Sequence, residues 1–380
     1  MNADRVKVLI NIYLDKYDEM AAADERVLGT WTAVNTCRKH WDMDADDFGR
    51  MFHAAMRDAS LILENETWKP LEGIRYLCDN DRQEEVRASF RELLARDDGD
   101  IEARQGRVLR FVRDINDMLI EAAPERWQLR QKIRTGIQYL GIIDPSENYI
   151  FRASEAAAFA GYTEVDDEIG FDRKLNLPNY YEMCNGLVDY ISSRDDLLKK
   201  VARKLKQKGK DEGEPELTEI DPNHHILAYD IIRDAYQHDF YKEKAANRKS
   251  KISTVQYRAI EKTQKRALLL DEREEVVDEY DEISSLEAGA KMPDLVGRKV
   301  RHEAYGKGKV TEKNGRYLKV EFEDGMTKKF VLPIAIVGGF LDFGSAKLTE
   351  AAEAMERVKD RKKDIADRLT AIDVQLQMLE

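Results

Sequence analysis

Apolar residues return every three or four positions through the first 190 residues, the spacing of one helical face. Val6, Leu9, Ile10, Tyr13, Leu14 and Tyr17 form the first such stripe. Phe48, Met51, Phe52, Ala55 and Met56 form another, followed by Val86, Phe90, Leu93 and Leu94, and by Val108, Phe111, Ile115, Met118 and Leu119. Between Arg126 and Leu140 the stripe is Trp127, Leu129, Ile133, Ile137 and Tyr139. The breaks are short, at Asn80-Asp81, Asp97 to Asp100 and Pro124. Short breaks predict antiparallel neighbours in a helical array. Trp31, Trp41, Trp68 and Trp127 all fall in this part, which predicts its best-packed core here.

The pattern changes at Gly141 to Tyr162. Pro145 and Asn148 bracket a turn, Tyr149-Ile150-Phe151 reads as a short strand, and Ser154 as the cap of a helix over Glu155 to Ala160. This stretch resembles a segment in helical regions of restriction-linked bacterial proteins. A helix from about Asn179 runs through Leu187, Val188, Ile191, Leu197 and Leu198 and turns basic at Arg194, Lys199, Lys200, Arg203, Lys204, Lys206, Lys208 and Lys210. Residues 211–223 read as a mobile polar loop, and Ile226 to Phe240 as a further helix. Lys242 to Arg266 holds nine Lys/Arg against Glu243 and Glu261, and Asp271 to Glu287 holds nine acids against Arg273. The two runs predict one charged helical connector. From Ala351 to Leu379 the positions Ala351, Met355, Val358, Lys362, Ile365, Leu369, Ile372, Leu376 and Leu379 step by fours and threes, a heptad pattern with one polar break at Lys362. It predicts a helix that packs back on the connector or pairs with a second copy.

Between Val296 and Phe343 the period drops to two. Lys299 to His302, Lys309 to Thr311, Tyr317 to Phe322 and Lys328 to Val331 read as strands, with hairpin turns at Asn314-Gly315 and Asp324-Gly325 and Pro333 as the stop. Gly306 and Gly308 supply a tight bend with positive φ. Four or five antiparallel strands in so short a stretch predict a small barrel. Gly297, Val300, His302, Tyr305, Gly306, Gly308, Val310, Val320, Phe322, Asp324, Gly325 and Phe330 carry a pattern that resembles the SH3/Tudor-like barrel at the C-termini of bacterial superfamily-1 DNA repair helicases. It is similar, too, to barrels of transcription-associated factors. The resemblance implies docking onto RNA polymerase or a DNA-processing protein. No helicase motor precedes the barrel here.

Charge and missing motifs narrow the chemistry. Lys+Arg is 62 against 74 Asp+Glu, a net −12, which disfavours coating of DNA but leaves room for local basic sites. The barrel segment itself carries ten Lys/Arg against six Asp/Glu. Three well-separated cysteines, Cys37, Cys78 and Cys184, suit reduced thiols. Charges interrupt every apolar run, so no membrane span is expected; the expected location is the cytoplasm. The chain has no phosphate loop of the G-x-x-x-x-G-K-[ST] type and no hydrolase, zincin or deaminase signature. His224, His225 and His238 are badly spaced for a metal on one helix. Asp166, Asp167, Glu168 and Asp172 with Lys174 echo a metal-dependent nuclease but sit in a loop-like context. His302 is expected to hold the backbone of its turn.

These readings give a mainly α chain: a helical domain over 1–240, a charged connector over 241–292, a barrel over 293–344 and a coiled-coil helix over 345–380. The expected function is non-enzymatic interaction or regulation in a DNA- or transcription-linked bacterial process. A protein partner would dock on Tyr305, Arg316, Tyr317, Lys319, Lys328 and Lys329. Nucleic acid would meet Lys199, Lys200, Arg203, Lys204, Lys206, Arg248, Lys249 and Lys251. The alternatives are an accessory subunit of a phage-defence or mobile-element system and a metal-dependent nuclease. No catalytic residue, cofactor or metal is assigned, and a homodimer through the C-terminal helix is a further expectation.

Overall fold

The structure, a computed structural model, describes residues 1–24, 26–65, 67–165, 167–170, 174–242, 254–289 and 292–379. In chain order the α-helices are α1 Ala3–Ala23, α2 Arg26–His40, α3 Phe48–Ala55, α4 Ser60–Leu63, α5 Pro70–Leu77, α6 Gln83–Leu93, α7 Ile101–Ala122 and α8 Ile133–Ile143. There follow α9 Ala153–Tyr162, α10 Leu177–Ser192, α11 Asp195–Glu212, α12 His225–Gln237, α13 Thr254–Gly289, α14 Ile334–Val337 and α15 Ala346–Gln377. Strands β1 Lys299–His302, β2 Gly306–Asn314, β3 Tyr317–Phe322 and β4 Thr327–Val331 lie between α13 and α14. The fold is mainly α with one small antiparallel sheet, as the periodicity predicts. Contacts divide it into two units, Met1–Glu274 with Val374–Glu380, and Glu275–Asp373.

In the first unit the predicted stripes are the buried faces. Side-chain caps start several helices: Asn2 accepts from the Asp4 N–H, Asp100 from Ala103 and Asn176 from Asn179. Phe52, Phe90, Phe111 and Tyr139 interlock edge to face, with ring centroids 4.8 Å apart for Phe90–Phe111 and 5.3 Å for Phe90–Tyr139. Trp41, just past the end of α2, adds its ring at 5.4 Å from Phe90. Gly73 lets α5 touch the Leu129 carbonyl, where a Cβ would come within 2.0 Å of the oxygen.

Four local expectations are corrected here. Tyr149, Ile150 and Phe151 are buried but form no strand. Their carbonyls are met by side chains instead: Tyr180 Oη donates to Ile150 O at 2.5 Å and Gln138 Nε2 to Phe151 O at 3.3 Å. Ser154 is not the cap of α9; the helix starts at Ala153 after Arg152, and Ser154 is buried inside it. Residues 211–223 are not all loop: α11 runs through Glu212, and Pro215–Thr218 form a short helical turn. Gly213 closes α11 in the left-handed region at φ 74°, Leu217 and Ile220 are buried, and Asn35 and Lys39 both bond Glu214. The basic helix is also two helices, α10 and α11, parted at Ser193 and Arg194, where Arg194 turns back to Asp196 and Asn11.

In the second unit the strands run in the order β1-β2-β3-β4, every pair antiparallel. Gly306, Gly315 and Gly325 take φ of 74°, 56° and 82° in the turns, which suits residues without a Cβ. Gly308 does not share that role. It faces Phe322 across the ladder, where a Cβ would meet the ring and the Glu321 carbonyl within 3.0 Å. Val300, Val310, Leu318, Val320 and Phe322 build the core, which continues into Leu348 and Ala352 at the start of α15. Along α15 the heptad positions are the covered ones. Ile365 and Ile372 are buried, as are Val276 and Ile283 on α13, and Lys362–Glu287 (2.6 Å) and Arg368–Glu279 (2.8 Å) set this part of α15 antiparallel to α13.

Candidate functional site

The outer surface of the sheet is set by register. Tyr317 stands opposite Val331, and Lys319 opposite Lys329, while the alternate pair Leu318 and Phe330 points toward the core. Tyr317 is 47% exposed and Val331 36%, an unusual openness for a tyrosine–valine pair on a sheet. Arg316 lies in the hairpin turn with its guanidinium 5.8 Å from the Tyr317 ring centre. Lys319 is 4.0 Å from Glu312, a long contact, and Lys329 has no ion-pair partner among the described residues. Like charges directly opposite on a sheet cost on the order of 0.2–1 kcal/mol.

Beyond β4 the chain enters α14, whose Ile334 and Val337 share a face and are 46% and 42% exposed, and then Phe340 at 54%. These apolar residues were absent from the sequence-based set. Their signal was present in Ile334-Ala-Ile-Val337, an apolar run placed after a strand-ending proline. β4 is the edge of the sheet on this side, because its one ladder is with β3. The opposite edge, β1, is covered by paired bonds between Arg301 and Asp342 at 2.8 and 2.9 Å.

Tyr305 and Lys328 belong to a different spot in the same unit. The Lys328 ammonium sits 5.4 Å from the centre of the Tyr305 ring. That ring is one of a group with His302 (4.5 Å) and Phe322 (5.3 Å), and His302 lies 5.4 Å from Phe330. His302 Nδ1 accepts the Ala304 N–H at 3.0 Å, so it holds its turn. The six residues named for docking therefore divide: Arg316, Tyr317, Lys319 and Lys329 gather on the outer face, Tyr305 and Lys328 on the aromatic cluster.

The basic helix α11 is largely matched within the chain. Asp18 on α1 takes Lys200 and Lys204 at 3.1 Å each and Arg203 at 3.7 Å. Those side-chain bonds hold its carboxyl below the usual range. Lys199 pairs with Asp195 at 3.3 Å, and Lys206 is exposed with no ion-pair partner among the described residues. Arg248, Lys249 and Lys251 lie outside the described residues, as do Asp166 and Asp172 of the nuclease-like set. Of the rest of that set, Glu168 pairs with Arg266 at 3.5 Å. His225 stacks on Tyr149 at 4.1 Å and His238 on Phe240 at 6.2 Å, so each has its own aromatic neighbour. Among the described residues, no three His, Cys, Asp or Glu side chains come together as a metal site, and no helix is long and apolar enough to cross a membrane.

The helical unit has a small cleft lined by polar and apolar residues alike, among them Thr30, Leu61, Ile62, Arg152, Glu155 and Arg233. Behind it Arg233 bridges two buried carboxylates, Asp230 at 2.9 Å and Asp234 at 2.8 Å, and Trp31 Nε1 donates to Asp230 at 2.8 Å. No family model, curated protein or solved structure matches this chain.

Proposed function

We propose that the chain is a non-enzymatic docking protein whose β unit, an SH3/Tudor-like barrel, receives an acidic protein segment on the outer face of β3 and β4. The observation that carries the reading is the Lys319–Lys329 pair, two cations set side by side next to the open Tyr317–Val331 pair. An acidic partner relieves that repulsion, and apolar side chains on it cover Tyr317, Val331 and the Ile334–Val337 face. Lysines on an edge strand also discourage pairing with another copy of the same strand, which favours a partner of opposite charge. RNA polymerase or a DNA-processing protein is the class of partner that the barrel's resemblance brings with it.

The test uses the full chain as bait in nuclease-treated bacterial lysate, followed by rebuilding the complex from purified components. The reading expects a defined partner that binds the wild-type chain, weakens with salt, and loses at least tenfold in affinity with Lys319→Glu/Lys329→Glu. A variant that keeps wild-type affinity for every rebuilt partner sinks the assignment of this face.

A further inference from the structure

We propose that the β1–β2 half of the sheet's outer face binds the phosphate backbone of duplex DNA. On these strands the side chains that alternate with the buried Val300 and Val310 point outward. They are Lys299, Arg301, Lys307 and Lys309, all exposed. Register sets Lys299 against Lys309 and Arg301 against Lys307. The Val310 N–H donates to the Arg298 carbonyl at 3.0 Å, and Arg301 directs both backbone groups to Asp342 at 2.8 and 2.9 Å. Both cation pairs therefore occupy the ladder positions that exchange no backbone bonds, where facing Cα atoms stand about 4.5 Å apart.

Like charges directly opposite destabilise a sheet, and nothing within the chain relieves these two pairs. Glu321 stands opposite Lys309 on β3 and Asp342 opposite Arg301, yet none of the four cations has an ion-pair partner among the described residues. Asp342 instead accepts the Gly344 N–H at 2.7 Å. Edge protection does not account for the charges either. β2 is paired on both sides, by β1 and β3, so Lys307 and Lys309 guard no free edge.

Composition selects the partner. Protein interfaces are poor in lysine and centre on apolar side chains. The outward positions here are cationic, and the open Tyr317 and Val331 lie on β3 and β4. Nucleic-acid interfaces are strongly cationic. Binders of single strands add aromatic rings on which bases stack, and this half presents none, because Tyr305 packs with His302 and Phe322 on the other side of the sheet. A duplex keeps its bases stacked within itself and offers one negative charge per about 1.7 Å of axis. The cations of each strand are two residues apart, about 6.8 Å, so the patch meets several neighbouring phosphates at once. Contacts to phosphate carry no sequence information. This surface is separate from the acidic-segment face on β3 and β4 and does not depend on it.

The experiment follows the anisotropy of a labelled duplex of about 20 base pairs with the full chain, from about 50 to about 200 mM salt. Four phosphate contacts predict a slope of log affinity against log salt of about −3.6, a loss of about 150-fold over that range. Lys307→Gln/Lys309→Gln is expected to melt no lower than wild type, since each like-charge pair loses a member. It is expected to halve the slope and to bind at least tenfold more weakly at the lower salt. Lys206→Gln on α11 should stay within about twofold of wild type, and a single strand of the same length should bind more weakly than the duplex. No salt-dependent duplex binding, or wild-type affinity and slope in Lys307→Gln/Lys309→Gln, overturns the proposal. So does tighter binding of the single strand, or a poly-glutamate peptide that competes as strongly as the duplex, charge for charge. Should Lys307→Gln/Lys309→Gln not fold, Lys299→Gln/Arg301→Gln takes its place: a halved slope supports the surface, and an unchanged one refutes it.

Discussion

Replacing Asp97 by Asn should unfold the helical unit more readily than any neighbouring charge change. Asp97 is 5% exposed at its side chain and accepts from Arg104 Nε at 2.8 Å, from Arg104 Nη2 at 2.7 Å and from Arg107 Nη2. Arg104 is itself 6% exposed and extends the network. It donates to the Glu147 carbonyl at 2.6 Å and to Asn148 Oδ1 at 3.1 Å, and lies 5.5 Å from the Tyr181 ring centre. The carboxylate thus ties α7 to the strandless segment around Asn148. Asn keeps the shape but removes the charge, and two guanidiniums stay buried without a counter-ion. Breaking a buried pair in this way costs about 3–5 kcal/mol, a melting shift on the order of 10 °C for a unit of this size.

Asp98→Asn is the control. It makes the same change in net charge at an exposed neighbour in the left-handed region, φ 50°, which Asn tolerates. Urea unfolding of wild type, Asp97→Asn and Asp98→Asn at pH 7, followed by tryptophan fluorescence and circular dichroism, reads the difference. The pH dependence follows from the sign of the shift. Arg104 and Arg107 hold the folded Asp97 carboxyl well below its unfolded value of about 3.9, so its contribution is full above roughly pH 5 and drains away as pH falls toward the folded value. The gap between wild type and Asp97→Asn should narrow from pH 5 to pH 3. An Asp97→Asn chain within about 1 kcal/mol of Asp98→Asn at pH 7 would refute the reasoning.

Two further substitutions test the packing and the second buried charge group. Gly73→Ala should cost about 1–3 kcal/mol by urea unfolding because its Cβ meets the Leu129 carbonyl, while Gly106→Ala, with nothing within 4 Å, should stabilise α7 by about 0.5–1 kcal/mol. Arg233→Met leaves Asp230 and Asp234 buried without their cation, so a loss of about 3–5 kcal/mol at pH 7 is expected. That loss should lessen toward pH 5 as the stranded carboxylates take up protons, and Asp230→Asn in the same chain should restore part of it.

The sequence was most legible where a repeated spacing coincides with burial. The stripe from Val108 to Leu119 and the heptad from Ala351 to Leu379 both face their partners, because the helical period maps directly onto a covered face. The strands were legible through their turns, since Gly315 and Gly325 fix the register that sets Lys319 against Lys329. Legibility failed where side chains replace regular backbone bonding. Tyr149 to Phe151 has the composition of a strand, but its carbonyls are answered by Tyr180 and Gln138 from elsewhere in the chain. The stretch 211–223 has few apolar residues, and Leu217 and Ile220 suffice to pin it. The exposed residues after Pro333 were missed because a short apolar run reads as core whether it points inward or outward.

The basic helix α11 and the sheet face make opposite uses of positive charge, and counting residues does not separate them. On α11 a single aspartate, Asp18, 182 positions before Lys200, gathers three of the cations, and local acids take Lys199 and Lys208. A phosphate backbone would have to compete with those pairs for most of its contacts on α11. On the sheet, Lys319 has a distant acid and Lys329 none among the described residues, although the segment around them is far less basic per residue than α11. In a chain of net charge −12, an anionic partner would therefore find unmatched positive charge on the sheet face sooner than along the Asp18-matched part of α11.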